Sequence, residues 1–235
     1  EDNNNKIVGV FLNFFMDYTL NSYTFKIAVG SSWAVDKKYR SKYSIRLLRR
    51  FIYQEKVDLI IISTASDTVG KILKAFKFKD IPIQDYSEVI YWILDYPKFI
   101  KSAFIKKINM SIWPISFLLG ELLRFYYFII RRNNCTFLSE NVTEVKCFDH
   151  RFDDFWRELS SKDKFMANRS RKALKWRFER AIKEEEISVL ALYHEQKLNG
   201  YVAIMKENNK TIGLNRMKII DIQFNNSVDE IFKTE

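Results

Sequence analysis

Residues 33–51 (WAVDKKYRSKYSIRLLRRF) decide the fold that we predict for this chain. The stretch opens with three apolar residues, continues with a strongly basic polar turn at residues 36–42, and then repeats apolar residues at a helical spacing from Ile45 to Ile52. The apolar run at residues 57–62 is typical of a parallel strand covered on both faces. Strand, turn, helix and strand in this order predict a βαβ unit.

The basic turn before the predicted helix is a candidate anion site. The turn presents backbone N–H groups at a helix N-terminus, and Arg40, Lys42 and Arg46 lie beside it. Such a terminus binds phosphate or pyrophosphate groups. A solvated basic loop is the alternative interpretation, and charge alone does not decide between the two.

The same residues resemble the acyl-CoA-binding motif of the GNAT superfamily of acyltransferases, V-x-P-x-[QR]-x-x-G-x-[GA]. Val35 and Arg40 match this motif, while Tyr43 and Ile45 stand where the family has glycines. The resemblance implies that backbone amides of this turn hold the CoA pyrophosphate and that the preceding strand edge pairs with the pantetheine. The cofactor-binding candidates are Trp33, Ala34, Val35, Arg40, Ser41, Lys42, Tyr43, Ser44, Ile45 and Arg46.

The composition indicates a folded protein with an anionic partner. Of the 235 residues, 47% are hydrophobic and only 3 are proline, which argues against disorder. The net charge of +10 is concentrated in residues 36–50 and 98–132. Such clusters suit an anionic cofactor, a lipid surface or nucleic acid. Since no RNP-like motif or zinc finger is present, nucleic acid is not the expected partner.

Metal and disulfide chemistry are not indicated by the sequence. Cys135 and Cys147 do not form a CxxC pair, and the only histidines are His150 and His194. We therefore expect no metal cofactor and a reducing, cytoplasmic compartment. No Ser-His-Asp arrangement and no phosphate-binding GxxxxGK[ST] loop occurs either.

The segments around the central stretch predict a mixed α/β sheet. Residues 6–15 and 24–29 are predicted strands, and with residues 33–35 they would form a three-stranded antiparallel meander leading into the βαβ unit. A helix is predicted at residues 69–76, with further strands at residues 77–82 and 87–94. In the GNAT resemblance, Leu73 stands where the family often has a tyrosine that acts as general acid.

The second half of the chain resembles the opening of another GNAT-like domain. Two amphipathic helices, at residues 152–159 and 168–179, precede three predicted strands at residues 187–193, 198–205 and 211–222. This order is similar to that of double-GNAT acyltransferases from bacterial surface-polysaccharide gene sets. It implies GNAT-like domains at 1–96 and 136–235 with a helical linker at 97–135. We expect the first domain to lack its start and the second its end.

The resemblance of this second half also suggests a substrate pocket. Its candidate residues are Arg169, Trp176 and Arg177 on the second amphipathic helix. Helix packing and surface charge are the alternative interpretation of these three side chains. Both interpretations stay open at the level of sequence.

The predicted linker contains an apolar segment at residues 111–130 in which only Glu121 and Arg124 are charged. Its length would span a bilayer, but the two charges and Pro114 are unfavourable there. An interfacial helix at the inner membrane face, with the basic flanks of residues 98–132 on anionic lipid, is a second interpretation. A buried interdomain helix is the commonest of the three.

We predict an α/β fold of two GNAT-like units and transfer of an acetyl or other acyl group from acyl-CoA to an amine or hydroxyl of a small molecule or glycan. Asp36 and Asp221 are candidate general bases by location only, and both can equally be turn residues. Two alternatives stay open. The first is a non-catalytic GNAT-like scaffold, motivated by Tyr43, Ile45 and Leu73, and the second is a FemAB-like aminoacyl transferase.

Overall fold

The computed structural model describes residues 6–63, 65–81, 91–109, 113–131 and 142–225. The chain divides into two compact units, Glu1–Gln84 with Trp156–Ser170, and Asp85–Phe155 with Arg171–Glu235. Each unit contains a four-stranded sheet. The first sheet has both parallel and antiparallel neighbours, which confirms the predicted mixed α/β class.

The elements follow one another in this order along the chain. They are β1 (Gly9–Leu20), β2 (Tyr23–Val35), α1 (Arg40–Ile52), β3 (Leu59–Ile62), α2 (Asp67–Ala75), α3 (Tyr96–Ile108), α4 (Trp113–Arg131), β4 (Val142–Glu144), α5 (His150–Ser160), β5 (Met166–Ala167), α6 (Arg171–Lys183), β6 (Ile187–His194), β7 (Lys197–Asn209) and β8 (Leu214–Phe224).

The first sheet has the strand order β3-β2-β1-β5. β1 and β2 form an antiparallel hairpin whose two turn residues, Asn21 and Ser22, have φ angles of 50° and 68°. Positive φ at both positions is what a two-residue hairpin turn requires. β2 and β3 run parallel and are joined through α1, so the predicted βαβ unit is present.

The three strands predicted before α1 are two in the structure. Residues 24–29 and 33–35 belong to one long strand, β2, because the intervening Gly30–Ser31–Ser32 segment is absorbed by a bulge. Phe11 pairs with Trp33 and Asn13 pairs with Gly30, so residues 31 and 32 oppose a single residue of β1. A bulge bends a strand without ending it, and the sequence pattern of a bulge resembles that of a turn.

Helix α1 is held on the first sheet by the apolar stripe that its sequence predicts. Leu48 and Phe51 are buried together with Ala28 of β2 and Leu73 of α2. The Phe51 ring also stacks on Phe11, with 4.4 Å between ring centroids. This core packs the C-terminal half of α1 on the first sheet.

The strands predicted after α2 are not formed where the structure describes them. Residues 77–81 and 91–94 are not in strands, and the rest of those predicted strands lies outside the described residues. α2 ends at Ala75, and Lys77 takes a left-handed φ of 66°, a typical conformation just after a helix C-terminus.

The second sheet, of strand order β4-β6-β7-β8, is antiparallel throughout. The helices α5 and α6 supply buried aromatic and aliphatic side chains, including Phe152, Phe155, Leu174 and Phe178. Tyr201 of β7 is buried and contacts the rings of Phe152 and Phe155. The predicted helices and strands of this half are all found, with shifted ends.

Candidate functional site

The first unit contains a cleft where β2 separates from β3. The two strands are paired only from Ile27 to Gly30 of β2, opposite Leu59 to Ile62 of β3. Beyond Gly30, β2 continues to Val35 and is paired with β1 alone. A cleft of about 680 Å³ lies beside this end of β2. Ligands of open α/β sheets bind at the carboxyl ends of parallel strands, and a volume of this size suits a small-molecule ligand.

The end of β2 presents an open backbone edge. The Asp36 N–H donates to the Val8 carbonyl oxygen (2.8 Å), which makes the opposed residues Gly9 and Val35 a non-hydrogen-bonded pair. The N–H and C=O groups of Val35, and of Trp33 two residues earlier, therefore point away from β1. An extended ligand that contains amides can pair with such an edge.

The N-terminus of α1 forms one wall of this cleft. A short 3₁₀ turn at Lys37–Tyr39 precedes the helix, and the cap residue Tyr39 makes no side-chain cap hydrogen bond. By contrast, the Ser66 hydroxyl accepts from the Val69 N–H and so caps α2 (3.5 Å). An uncapped N-terminus with basic neighbours is favourable for an anion.

Arg40 connects this terminus to the end of β2. Its Nε donates to the Val35 carbonyl oxygen at 3.0 Å. This bond fixes the guanidinium at the mouth of the cleft, and no further partner of the group is found among the described residues. Because the Nε end of the guanidinium is held in place, its other N–H groups have a fixed direction, a geometry that suits a phosphate.

The lining combines apolar walls with a few polar groups. Apolar side chains come from the residues just before and at the start of β1 and from α2, including Val8, Val69 and Ile72. Asp36 is the carboxylate among the described lining residues, and Ser44 contributes a hydroxyl. Such a lining fits a ligand with an anionic head and an extended, partly apolar arm.

The indole N–H of Trp33, on the wall of this cleft, has no hydrogen-bond partner among the described residues although it is buried. An unsatisfied buried donor costs about 1–3 kcal/mol. A ligand acceptor that reached this N–H would remove that cost.

The cleft brings together half of the residues that the sequence suggested for the cofactor. Its lining includes Trp33, Ala34, Val35, Arg40 and Ser44. Four further candidates lie on α1 outside the lining, namely Ser41, Tyr43, Ile45 and Arg46. The tenth candidate, Lys42, is also on α1, and its side chain is not among those that the structure describes.

The position of α1 narrows the set of backbone amides that can face a ligand. Ser44 and Ile45 are in the second turn of α1, where helical N–H groups bond to carbonyls four residues earlier. Only the N–H groups of the first turn remain for an anion. Tyr43, at a glycine position of the family motif, packs edge-on against Tyr39, with 5.8 Å between ring centroids.

Sequence reasoning missed the wall of the cleft that α2 supplies. Ser66, Thr68, Val69 and Ile72 all line it. The signal was present, because residues 63–67 are rich in helix-capping types directly after a parallel strand. Leu73, at the position of the family's acid tyrosine, is a buried core residue.

Asp221 lies in the second unit within a buried polar cluster. The Tyr201 hydroxyl donates to Asp221 Oδ2 (2.9 Å), and Arg177 Nη1 donates to the same oxygen (3.3 Å). The Arg177 guanidinium also lies over the Phe178 ring, 4.8 Å from its centroid. The structure thus joins two predicted site residues, Asp221 and Arg177, in an ion pair that braces α6 on the sheet.

The other two predicted substrate-pocket residues are placed apart from this pair. Trp176 is 70% exposed on α6. Arg169 donates to the Ala167 carbonyl oxygen (2.9 Å) and belongs to the first unit. Arg169, Trp176 and Arg177 line neither the cleft of the first unit nor the cleft at the start of α5.

A second cleft, of about 490 Å³, lies in the second unit at the start of α5. Arg151 and Asp149 form a bidentate ion pair there, in which Nη2 donates to Oδ2 (2.6 Å) and Nε donates to Oδ1 (3.2 Å); it holds the pKa of the Asp149 carboxyl below its usual range. The same guanidinium lies 4.2 Å from the Tyr193 ring centroid, and burial raises the pKa of that tyrosine. The Asp149–Arg151 pair compensates itself, and the lining adds the carboxylates of Asp154 and Glu195 against Lys197. This cleft therefore lacks the positive charge that an anionic ligand needs.

Comparison with known proteins yields a likeness of structure but none of sequence. No protein-family model matches the chain, and no curated protein sequence matches it. A solved structure of Saccharomyces cerevisiae N-myristoyltransferase with bound myristoyl-CoA matches with a TM-score of 0.48 and 9% identity over 94% of this chain. The match covers 50% of that chain, so this chain spans half its length. A likeness at this level assigns neither a family nor an activity.

Proposed function

We propose that the cleft of the first unit binds acyl-CoA and that the protein transfers the acyl group to an amine or hydroxyl of a small molecule or glycan. One observation carries the proposal. The end of β2, with its open backbone edge, lies beside the uncapped and basic N-terminus of α1. A CoA thioester needs both features at once, since it has amides in its arm and a pyrophosphate at one end.

In this proposal the pyrophosphate binds to first-turn N–H groups of α1 and to Arg40, with Lys37 and Lys38 adding positive potential. The pantetheine amides pair with the backbone of Trp33 and Val35. The apolar walls then receive the arm and the acyl group. Such fixed placement of the thioester supplies most of the catalysis in an acyl transfer of this type.

The chemical step requires a proton acceptor but no metal. The acceptor nitrogen or oxygen attacks the thioester carbonyl, the carbon–sulfur bond breaks, and CoA leaves as its thiolate. The proton of the attacking group passes to a base, for which Asp36 is the carboxylate in the described lining. Leu73 cannot donate a proton to the leaving thiolate, so the thiolate takes its proton from solvent.

Calorimetric titration of acetyl-CoA and longer acyl-CoAs into the protein tests the binding step. We expect micromolar affinity that falls about tenfold or more in Arg40→Glu, because a charged hydrogen bond contributes about 1.5–3 kcal/mol. Arg50→Glu is the matched control, since Arg50 is an exposed residue at the opposite end of the same helix.

Arg40→Glu also removes the Arg40–Val35 hydrogen bond, so a second variant must test the cleft while leaving this bond in place. Thr68 is exposed on the α2 wall, so Thr68→Trp should fill the cleft without disturbing the core. We expect it to abolish binding. Failure of the unmodified protein to bind any acyl-CoA, or binding that both variants retain, would refute the site.

A non-catalytic scaffold that binds acyl-CoA is the second candidate. Three observations favour it, namely a single carboxylate in the described lining, the burial of Leu73 and the two missing glycines. Thiol release from bound acetyl-CoA with a panel of amine and hydroxyl acceptors separates the two candidates. Binding without release of CoA would favour the scaffold. No observation on the described residues favours the aminoacyl-transferase alternative.

A further inference from the structure

Helix α4 buries its small residues and exposes its large apolar ones, which is the reverse of a helix in the core of a water-soluble protein. Its contact stripe toward α3 begins with small residues, of which Ser116 is fully buried and Gly120 is buried. At Gly120 the helices approach so closely that an added Cβ would lie 2.5 Å from the Pro97 Cα. The Tyr127 ring, farther along this stripe, contacts Tyr96 with 5.8 Å between centroids.

The large apolar side chains of α4 face outward instead. The stretch Trp113–Ile130 has a mean hydropathy of 1.3, yet only 11% of it is buried, and by length and composition it is a candidate to cross a membrane. The exposed residues include Phe117, Leu118, Leu122, Phe125, Phe128 and Ile129. Small residues at the helix contact and apolar residues outside are typical of helices that pack in lipid. A helix of a soluble protein shows the reverse pattern.

This exposed surface is convex and broad. At 3.6 residues per turn, the exposed apolar side chains occupy more than half of the helix circumference. A folded protein partner contacts a narrow side of a helix, whereas the headgroup and acyl boundary of a bilayer moulds itself to a broad apolar face. The breadth of the apolar surface therefore favours a bilayer over a second protein.

The charges beside the apolar surface indicate the kind of lipid. Four of the charges are neutralised within two ion pairs, Lys98 with Asp95 and Arg124 with Glu121. The further basic residues of α3 have no acidic counterpart within the described part of the helical pair; they are Lys101, Lys106 and Lys107. Lysines near a membrane surface favour anionic lipid.

We propose that α3 and α4 form a membrane-binding helical pair that docks reversibly on an anionic bilayer, with the outward face of α4 at the level of the headgroups. The Trp113 and Tyr126 side chains, both exposed, suit that level. The Glu121–Arg124 pair lies near the middle of α4, where full insertion would place it in hydrocarbon. Pro114 lies in the first turn of α4, so it does not interrupt the helix.

Flotation of the full chain with phosphatidylcholine vesicles, with and without phosphatidylglycerol, tests the apolar contact. We expect association with the anionic vesicles that falls about tenfold or more in the double variant Phe125→Asp/Phe128→Asp. The control is Met217→Asp/Ile219→Asp, which changes two similarly exposed residues on β8 of the same unit. Circular dichroism establishes that each variant is folded.

A second pair of variants tests the charge contribution. Lys106→Glu/Lys107→Glu should abolish the preference for phosphatidylglycerol, and high salt should release the unmodified protein. Lys172→Glu/Lys210→Glu, which alters two exposed lysines elsewhere by the same net charge, should bind as the unmodified chain does.

Each of four results would overturn the proposal. These are absence of vesicle association, equal loss in the test and control variants, resistance of the bound protein to alkaline carbonate, and a self-association that only Phe125→Asp/Phe128→Asp removes. The third result would indicate a spanning helix, and the fourth a second copy of the chain on this face. The acyl-CoA titration is independent, because none of these variants alters the cleft of the first unit.

Discussion

Asp36 has two distinguishable roles at the scale of the single residue. Its backbone N–H closes the β1–β2 pairing at Val8, and its carboxylate lies on the wall of the candidate acyl-CoA cleft. The first role depends only on the main chain and persists in any substitution other than proline. Side-chain changes at this position therefore report on chemistry and leave the sheet unchanged.

We expect Asp36→Asn to lower the rate of acyl transfer about 100-fold or more, since a positioned base contributes about 10²–10⁴-fold. Affinity for acyl-CoA should remain within about twofold, because the pyrophosphate is assigned to Arg40 and the α1 terminus. Single-turnover release of CoA and calorimetry measure the two quantities. Asp163→Asn, on an exposed residue outside the lining, is the control. An unchanged rate in Asp36→Asn would remove this carboxylate from the mechanism.

Two helical glycines give an opposed pair of predictions. Gly120→Ala brings a methyl group to 2.5 Å from the backbone of Pro97, so we expect about 1–3 kcal/mol of destabilisation and separation of α3 from α4. Gly70 lies in α2 with nothing within 4 Å of an added Cβ. Gly70→Ala should therefore stabilise the protein by about 0.5–1 kcal/mol. Urea unfolding of both variants measures the difference, and destabilisation by Gly70→Ala would contradict this packing.

At the scale of elements, the parts predicted from sequence are those whose pattern depends on one element and its core. The α1 stripe of Leu48 and Phe51 is confirmed, and so is the βαβ unit around it. The fusion of two predicted strands into β2 was missed, because a bulge depends on the register with β1. Local sequence does not contain that register.

The interpretation of α4 as a buried helix is another difference at this scale. Hydropathy shows which side chains avoid water, but a protein core, a protein partner and a lipid phase all remove apolar side chains from water. The structure leaves the apolar face of α4 exposed and buries Ser116 and Gly120. The role of Asp221 was likewise not predictable from sequence, because only the fold brings the Tyr201 hydroxyl and the Arg177 guanidinium to its carboxylate.

The β7–β8 hairpin has a carboxylate whose titration is predictable. Hydrogen bonds from Arg216 (2.5 Å) and Lys218 (2.9 Å) lower the pKa of Glu207 to about 2. The ordinary value is 4.5, so the interaction stabilises the hairpin above that pH and is lost as the pH falls toward 2. NMR titration of the carboxyl carbon should show this value, and Arg216→Ala should raise it. Arg180→Ala is the control, and a pKa near 4.5 in the unmodified protein would refute the pairing.

At the scale of the whole molecule, the two units differ in what they offer. The first unit holds a cleft with an open strand edge and a basic helix terminus, which carries the proposed acyl-CoA site. The second unit holds the buried Asp221 cluster and the outward apolar face of α4. The net charge of +10 thus serves two separate proposals, a nucleotide-like anion in one unit and a lipid surface in the other.

The first unit is discontinuous along the chain, and this has a consequence for synthesis. Its edge strand β5 comes from Trp156–Ser170, and Met166 and Ala167 pair with Thr19 and Tyr18 of β1. A ribosome that has completed the residues up to Gln84 has therefore not yet made β5, the two-residue strand that pairs with Tyr18 and Thr19 at this edge of β1. Because domains fold from the N-terminus as they emerge, the nascent chain leaves this part of the β1 edge unpaired until translation reaches β5. A pause in translation within that interval would lengthen the period in which the chain is prone to aggregate.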